Sequence, residues 1–333
     1  MKVTFPGFVD LQVNGFAGVD FNTPGQSAER IGEALAAMRT TGVTRCLPTL
    51  ITSSYEQFAA CAGALRACRD PMVAGIHLEG PYISPVHGAR GAHPLAHVIA
   101  ASLDDFLRRQ DAAGGHIILV TLAPEVPGAL ALIEALTARD VRVAIGHTLA
   151  TRAQVRDAVN AGAVLSTHLG NGCPEMLHRH HNVIWEQLGT DELSASLIAD
   201  GHHLPPAVVK SMVRAKGLGR IILITDAVAA AGAPSGRYRL GELEVELAAD
   251  GRVSQPGVPF LAGSSLAMHL AVANTARFSS IGLHEVLPLA TRNPAHLLGL
   301  APVGRVEADW DPTQYRLAIE RVQPDAKEPI SDA

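Results

Sequence analysis

The run Arg220-Ile221-Ile222-Leu223-Ile224-Thr225-Asp226 decides the fold. It is apolar without alternation, too short for a typical helix, and stops at a polar pair, the form of a strand buried on both faces of a parallel sheet. The same form recurs upstream. Gly7–Gly15, Thr44–Thr52, Met72–Gly80, Ile117–Glu125, Val141–His147, Val164–Asn171 and Ala195–Asp200 are each apolar or β-branched, end in polar or glycine residues, and lead into a helix-like segment. With Arg220–Asp226 they make eight strand-helix alternations, which predicts an α/β chain closed as a (β/α)8 barrel over residues 6–300.

The helix-like segments carry their own end signals. Ser102 is placed to cap a helix with Asp105 three residues on, and Gly114-Gly115 closes it. In Pro205–Lys216 the apolar Val208, Val209, Met212 and Val213 share one face before Gly217 stops the helix. Leu266–Phe278 and His284–Leu298 also read as helices. Between Gly236 and Gly257 the period drops to two, at Tyr238, Leu240, Leu243, Val245 and Leu247, with Asp250-Gly251 as a turn, so residues 236–257 are a β excursion from the barrel. Together with residues 1–5 and the weak strand signals Val303–Val306 and Tyr315–Ile319 within 301–322, it is expected to form a small β subdomain from noncontiguous pieces. Residues 323–333, polar with two prolines, read as a flexible tail.

A chain of 333 residues, 47% of them hydrophobic and with a mean hydropathy of +0.18, buries a large core, and a barrel of this length is one domain. The net charge of −5 comes without any run of Lys or Arg, and 4% aromatic content supplies no stacking platform, which excludes nucleic acid as the partner. No apolar stretch reaches about 18 residues, and no basic-then-apolar leader opens the sequence. The reading is a soluble cytoplasmic protein with no membrane partner. Cys46, Cys61, Cys68 and Cys173 show no CxxC spacing, and all four read as reduced thiols, Cys61 and Cys68 on the buried face of one helix.

In a closed parallel barrel the side chains at the C-terminal strand ends converge on one mouth. That brings together Glu79 of His77-Leu78-Glu79-Gly80-Pro81, His147 of Gly146-His147-Thr148, His168 of Thr167-His168-Leu169-Gly170-Asn171, His203 of Ala199-Asp200-Gly201-His202-His203, and Asp226 of Thr225-Asp226-Ala227. One carboxylate and two imidazoles give three ligands for a divalent ion, zinc or iron, and leave a position for water, the pattern of a catalytic and not a closed structural site. Glu79, His147 and His168 are the expected ligands. Each taken alone has a plainer reading, a strand-end histidine bonded to a loop or a glutamate accepting turn N–H groups; three at successive strand ends favour the metal. Asp226 suits the general base for water activated by that ion, its alternative being an N-cap for the following segment. His77, two residues before Glu79 on the same strand face, is expected to be structural. The His178-Arg179-His180-His181 run is open between a metal tract and an anion-binding loop.

These motifs resemble, in order, the signatures of the N-acetylglucosamine-6-phosphate deacetylases of the amidohydrolase superfamily, including Pro6-Gly7-Phe8-Val9-Asp10-Leu11-Gln12-Val13-Asn14-Gly15 and Gly263-Ser264-Ser265-Leu266. The resemblance covers roughly Pro6 to Leu300. It implies Glu79, His147 and His168 as metal ligands, Asp226 as the catalytic acid/base, and His93, in Gly91-Ala92-His93-Pro94, as the group that polarises the acetamide carbonyl. It further implies that Asn171 and Gly172 offer backbone N–H groups to a phosphate, that Arg179 stands at the spacing of a phosphate-binding arginine, that His203 contacts the sugar phosphate, and that the protein is a homodimer. Gln12 and Asn14 stand where much of the superfamily has a His-x-His pair for a second metal; amides are weak ligands, so one ion is expected. Two departures stand out. Arg179 is followed by His180-His181-Asn182 instead of Glu-Pro-Gly. The chain also enters its first barrel strand almost at once, without most of the family's N-terminal β segment, and Asp309–Arg321 matches poorly, so the small β subdomain is expected to be reduced.

The activity so implied is hydrolysis of the acetamide of N-acetylglucosamine-6-phosphate, a small-molecule substrate, to glucosamine-6-phosphate and acetate. The alternatives are a deacylase of another N-acyl or unphosphorylated amino sugar, and a noncatalytic sugar-phosphate-binding protein on the same scaffold.

Overall fold

The computed structural model describes residues 1–258 and 260–324. The chain opens with β1 (Lys2–Pro6) and β2 (Phe8–Val13), then a short hairpin of β3 (Gly15–Phe16) and β4 (Val19–Asp20). It continues through α1 (Ala28–Arg39), β5 (Val43–Ile51), α2 (Tyr55–Cys68), β6 (Ile76–Glu79), α3 (Leu103–Ala112), β7 (Ile117–Leu122), α4 (Ala129–Thr137) and β8 (Arg142–Ile145). After these come α5 (Arg152–Ala161), β9 (Ala163–Ser166), α6 (Val183–Leu188), β10 (Ser194–Ile198), α7 (Pro206–Lys216) and β11 (Ile221–Ile224).

Strands β2 and β5 to β11 form one eight-stranded sheet in the order β11-β10-β9-β8-β7-β6-β5-β2, with every neighbouring pair parallel. This is the (β/α)8 barrel. The seam between β11 and β2 is stitched just beyond the strand ends: Asp226 N–H donates to the Gln12 carbonyl at 2.9 Å, Asn14 N–H to the Ala227 carbonyl at 2.7 Å, and Val13 bridges Ala227 in parallel. Below the seam, Asp10 accepts both the backbone N–H and the hydroxyl of Thr225. The residues of β11 are buried throughout, which is why the run lacks alternation: helices cover one face and the barrel interior the other. Leu223, fully buried, belongs to the class of core leucine whose truncation to alanine costs about 2–5 kcal/mol. Helix starts follow local chemistry: the Ser102 hydroxyl accepts the Asp105 N–H at 3.3 Å, and Thr151 and Gln154 form a reciprocal capping box.

Beyond the barrel strands lie β12 (Gly236–Leu240), β13 (Leu243–Leu247), β14 (Val253–Ser254), α8 (Met268–Ser279), α9 (Leu283–Ala290), α10 (Arg292–Leu297), β15 (Arg305–Asp311) and β16 (Arg316–Gln323). Three sequence expectations change here. The segment His284–Leu298 is two helices, broken at Thr291, because Pro294 has no N–H to give the Ala290 carbonyl. The 236–257 excursion does not join the terminal strands: β12-β13-β14 is one sheet and β1-β15-β16 another. The first packs Leu240, Val245, Leu247 and Val253 with Ile51, Val228 and Ala262, and its turn is pinned where Gly241 N–H donates to Asp20 at 2.7 Å. Gln323, read as tail, pairs with Arg305 in β16, while residues 325–333 of that segment lie outside the described residues. All four cysteines are unpaired. Among the described residues, no helix is long and apolar enough to cross a membrane.

Candidate active site

Glu79 is the last residue of β6, while His147, His168 and Asp226 each stand two residues beyond the end of β8, β9 and β11. The last three share a backbone peculiarity, with φ of 50°, 30° and 49° in the left-handed region. Residues with side chains hold that conformation at a cost of about 1–3 kcal/mol, met by surrounding bonds. Here His168 N–H donates to the Ser196 hydroxyl at 2.7 Å, and the Asp226 carbonyl accepts Ser264 N–H at 2.9 Å. Each strand thereby turns sharply and carries its side chain over the mouth of the barrel.

The three side chains meet. Glu79 Oε1 lies 3.2 Å from His147 Nε2 and 3.0 Å from His168 Nε2, and the two imidazole nitrogens are 3.2 Å apart. His147 Nδ1 is 3.0 Å from the Ala89 carbonyl, an acceptor only, so Nδ1 carries the hydrogen and the neutral ring turns a bare lone pair at Nε2 toward the carboxylate. A lone pair turned on a carboxylate in a buried site calls for a cation between them, and the buried His168 Nδ1 has no partner that would compete for that ring. Of the described residues these three alone form such a cluster of potential metal donors, and the donor set of one carboxylate and two imidazoles fits a divalent ion with open positions. Gly172 is part of the fit: a Cβ there would stand 3.0 Å from His147 Nδ1 and 3.2 Å from His168 Cε1, so the loop passes this close only as glycine.

Asp226 lies beside this cluster without joining it. Burial first, and the nearby Glu79 charge second, push its carboxyl up to about 6. The amides of β2 and its end serve the two carboxylates: Gln12 Nε2 donates to Glu79 Oε1 at 2.8 Å and reaches Asp226 Oδ1 at 3.3 Å, while Asn14 Nδ2 donates to Asp226 Oδ1 at 2.8 Å. These residues act as donors.

A cavity of about 390 Å³ opens over the cluster and is lined by Glu79, His93, His147, His168, His203 and Asp226. Asn171 and Gly172 line it too; the Asn171 N–H is engaged by the His168 carbonyl at 2.9 Å, whereas Gly172 N–H has no partner among the described residues. Its far wall comes from outside the barrel, from Leu240 and Phe260 to Gly263. Arg179 is exposed and does not line this cavity; its carbonyl accepts the Trp185 indole N–H at 3.1 Å. His178, His180 and His181 are likewise exposed. His77 is buried beneath Glu79, with Nε2 2.7 Å from Thr121 Oγ1 and Nδ1 3.3 Å from Thr49 Oγ1, and burial lowers its pKa to about 4.

Three contributors escaped the sequence reading. Asp200 accepts the Nδ1 hydrogen of His203 at 2.7 Å and the backbone N–H groups of His202 and His203, each at 2.8 Å. Thr52 contacts His93 Nδ1 at 2.8 Å. Asp10 holds the strand that ends in Asp226. Thr52 and Asp200 did carry a signal, since both sit at the end of an apolar run.

A parallel eight-stranded barrel with carboxylate and imidazole donors at its mouth defines the class: the chain belongs to the amidohydrolase family, whose model matches residues 3–312. More narrowly, it is similar to the N-acetylglucosamine-6-phosphate deacetylase of Homo sapiens, 37% identical over 319 residues that cover 90% of this chain and 75% of that one. It is also similar to the N-acetylgalactosamine-6-phosphate deacetylase of Escherichia coli O157:H7, 36% identical, with 89% and 78% covered. Among solved structures, a mutant N-acetyl-D-glucosamine-6-phosphate deacetylase from Mycobacterium smegmatis, in complex with N-acetyl-D-glucosamine-6-phosphate, superposes with a TM-score of 0.89 at 31% identity, covering 97% of this chain and 86% of that one.

Proposed function

We propose that this chain hydrolyses the acetamide of N-acetylglucosamine-6-phosphate, consuming water and releasing glucosamine-6-phosphate and acetate. The observation that carries the reading is the convergence of Glu79, His147 and His168 donor atoms within 4.8 Å of one another in the cavity that Asp226 also lines. Glu79, His147 and His168 would hold one divalent ion, zinc or iron, which supplies Lewis-acid chemistry to the carbonyl and the attacking water. Asp226 takes the proton of that water and returns it to the departing amine. His93 donates a hydrogen bond to the carbonyl oxygen, where negative charge develops. His203 and Gly172, the latter through its unengaged N–H, receive the phosphate, whereas the Asn171 N–H is spent on the His168 carbonyl. Arg179 lies outside the cavity of its own chain and takes no part in this phosphate site. Unpaired cysteines suit the cytoplasm.

One observation favours a second reading, an unphosphorylated N-acetylated sugar: among the described residues, no lysine or arginine lines the cavity. An acetate-release assay on metal-loaded protein separates the two. N-acetylglucosamine-6-phosphate is expected to be cleaved with a kcat/KM at least tenfold above that of N-acetylglucosamine, about 1.4 kcal/mol of transition-state discrimination. Equal cleavage supports the second reading, and no cleavage of any N-acetylated hexosamine overturns both.

A further inference from the structure

Among the described residues, every barrel strand but β7 sends a residue to the cavity wall, from its end or from the loop behind it. The apolar run of β7 nonetheless leads to a carboxylate, Glu125, which is half-buried and does not line the cavity. It reaches sideways, to the turn that follows β8. Glu125 Oε1 accepts the Leu149 N–H at 2.6 Å, and Oε2 accepts the Thr148 hydroxyl. A carboxylate only accepts, so the hydroxyl gives its hydrogen to Glu125 while its oxygen takes the Ala150 N–H at 2.9 Å.

Thr148 and Leu149 directly follow His147, whose φ of 50° has to be held by its surroundings. Two of the holding bonds are backbone to backbone: the His147 carbonyl accepts the Ser84 N–H at 3.0 Å, and the Thr148 N–H donates to the Gly172 carbonyl at 3.2 Å. Glu125 supplies the side-chain hold, on two successive residues at once. Thr148 is buried, and its hydroxyl has no other acceptor among the described residues, so the bond to Glu125 has no substitute within the protein. The carboxylate stands on a stiff loop. Pro124 and Pro127 flank it, Ala123 N–H donates to the Tyr82 carbonyl at 2.9 Å, and Val126 N–H to the Ala123 carbonyl at 3.1 Å.

We propose that Glu125 is a positioning residue: by gripping Thr148 and Leu149 it holds the turn after β8, and with it the His147 side chain, where the metal site needs it. The inference rests on the reading of His147 as a metal ligand. Without the carboxylate, the left-handed turn loses its side-chain hold and the imidazole is free to drift from Glu79 and His168. Losing a group that orients a metal ligand costs about 10- to 100-fold in metal affinity, and Glu125 acts through the backbone, so about tenfold is expected.

The test measures zinc affinity of the metal-stripped full-length protein, by competition with a chromophoric chelator, beside the Tm of each metal-stripped form. In Glu125→Gln one oxygen can still take the Leu149 N–H, but the amide points a donor at the Thr148 hydroxyl, whose hydrogen is left without an acceptor; zinc should bind about tenfold more weakly. Thr148→Val breaks the same bond from its other end and should lose as much, and the double variant should bind no more weakly than either single one. Thr148→Ser keeps the hydroxyl and should bind zinc as the wild type does. A lowered Tm with wild-type zinc affinity in Glu125→Gln and Thr148→Val would reduce Glu125 to a support of its loop and overturn the proposal. If Glu125→Gln does not fold, Thr148→Val against Thr148→Ser decides in the same way. Glu79→Ala, which removes a ligand outright, should lose more than about 100-fold. That loss beside unchanged affinity in the other variants sinks the proposal and leaves the metal site standing, whereas wild-type affinity in Glu79→Ala sinks both.

Discussion

Asn14 Nδ2 donates to Asp226 Oδ1 at 2.8 Å, which fixes that carboxylate by one oxygen and leaves the other for the cavity. A base needs this arrangement, oriented but not neutralised, and the carboxyl raised to about 6 by burial and by Glu79 is better matched to proton transfer near neutrality than an ordinary aspartate. Asp226→Asn should lower kcat by about a thousandfold, since general acid–base groups supply roughly 100- to 10,000-fold. It should leave the bound metal at its wild-type stoichiometry, because Asp226 stands outside the cluster of Glu79, His147 and His168. Steady-state kinetics together with metal analysis check both halves. A variant within tenfold of the wild-type rate removes Asp226 from the role of base.

Glu79, His147 and His168 bring their potential ligand atoms within 4.8 Å of one another, so a bound ion should stabilise the fold as well as serve the reaction. At a free concentration a thousandfold above its Kd, a ligand contributes about 4 kcal/mol. Exhaustive chelation should lower the wild-type Tm by several degrees, and zinc should restore it. Glu79→Ala should show the same melting with and without chelator. A wild-type melting curve indifferent to chelator would count against a metal at these residues.

How far the sequence led depended on range. The eight buried runs and their polar ends were legible because strand burial is a local pattern and because Glu, His and Asp are conspicuous where apolar runs stop. The partners of those residues were not. Asp10 meets Thr225 across 215 positions and Asn14 meets Asp226 across 212, and nothing local announces either pairing until the barrel closes. The excursion at 236–257 was visible as alternation, yet its place as a wall of the cavity comes from Gly241 bonding to Asp20, again a long-range contact. Thr52 has an unremarkable side chain, and only the closeness of His93 Nδ1 gives it meaning.

Asp10 offers a test of the barrel seam. It is fully buried, and burial pushes its carboxyl from 3.8 up to about 7, against the opposing hydrogen bonds from Thr225 and Gln12. Because the folded pKa is raised, between about pH 4 and 7 the native state holds a proton that the unfolded chain has released, and stability falls as pH rises through that window. The loss from this one group reaches at most about 1.4 kcal/mol per pH unit. Thermal melts at pH 5 and pH 7.5 should show a decline in wild-type Tm that is smaller in Asp10→Asn, which keeps an acceptor oxygen but cannot ionise. Identical slopes in the two proteins would assign the pH dependence to other groups.

Asp200, accepting from His203 Nδ1 and from two backbone N–H groups, fixes both the ring plane and the site of its hydrogen, so Nε2 is the atom presented to the cavity. Burial would raise the Asp200 pKa, but the hydrogen bond from His203 outweighs it and holds the carboxyl below its ordinary value, so the negative charge that orients the His203 ring persists at neutral pH. In Asp200→Asn the backbone bonds can survive through one oxygen, while the charge is lost. KM for N-acetylglucosamine-6-phosphate should rise about tenfold, the loss of roughly one charge-assisted hydrogen bond, with kcat changed much less. The unphosphorylated sugar supplies the control, because its KM should barely move. A uniform rise for both substrates would show that Asp200 shapes the loop and that the phosphate is read elsewhere.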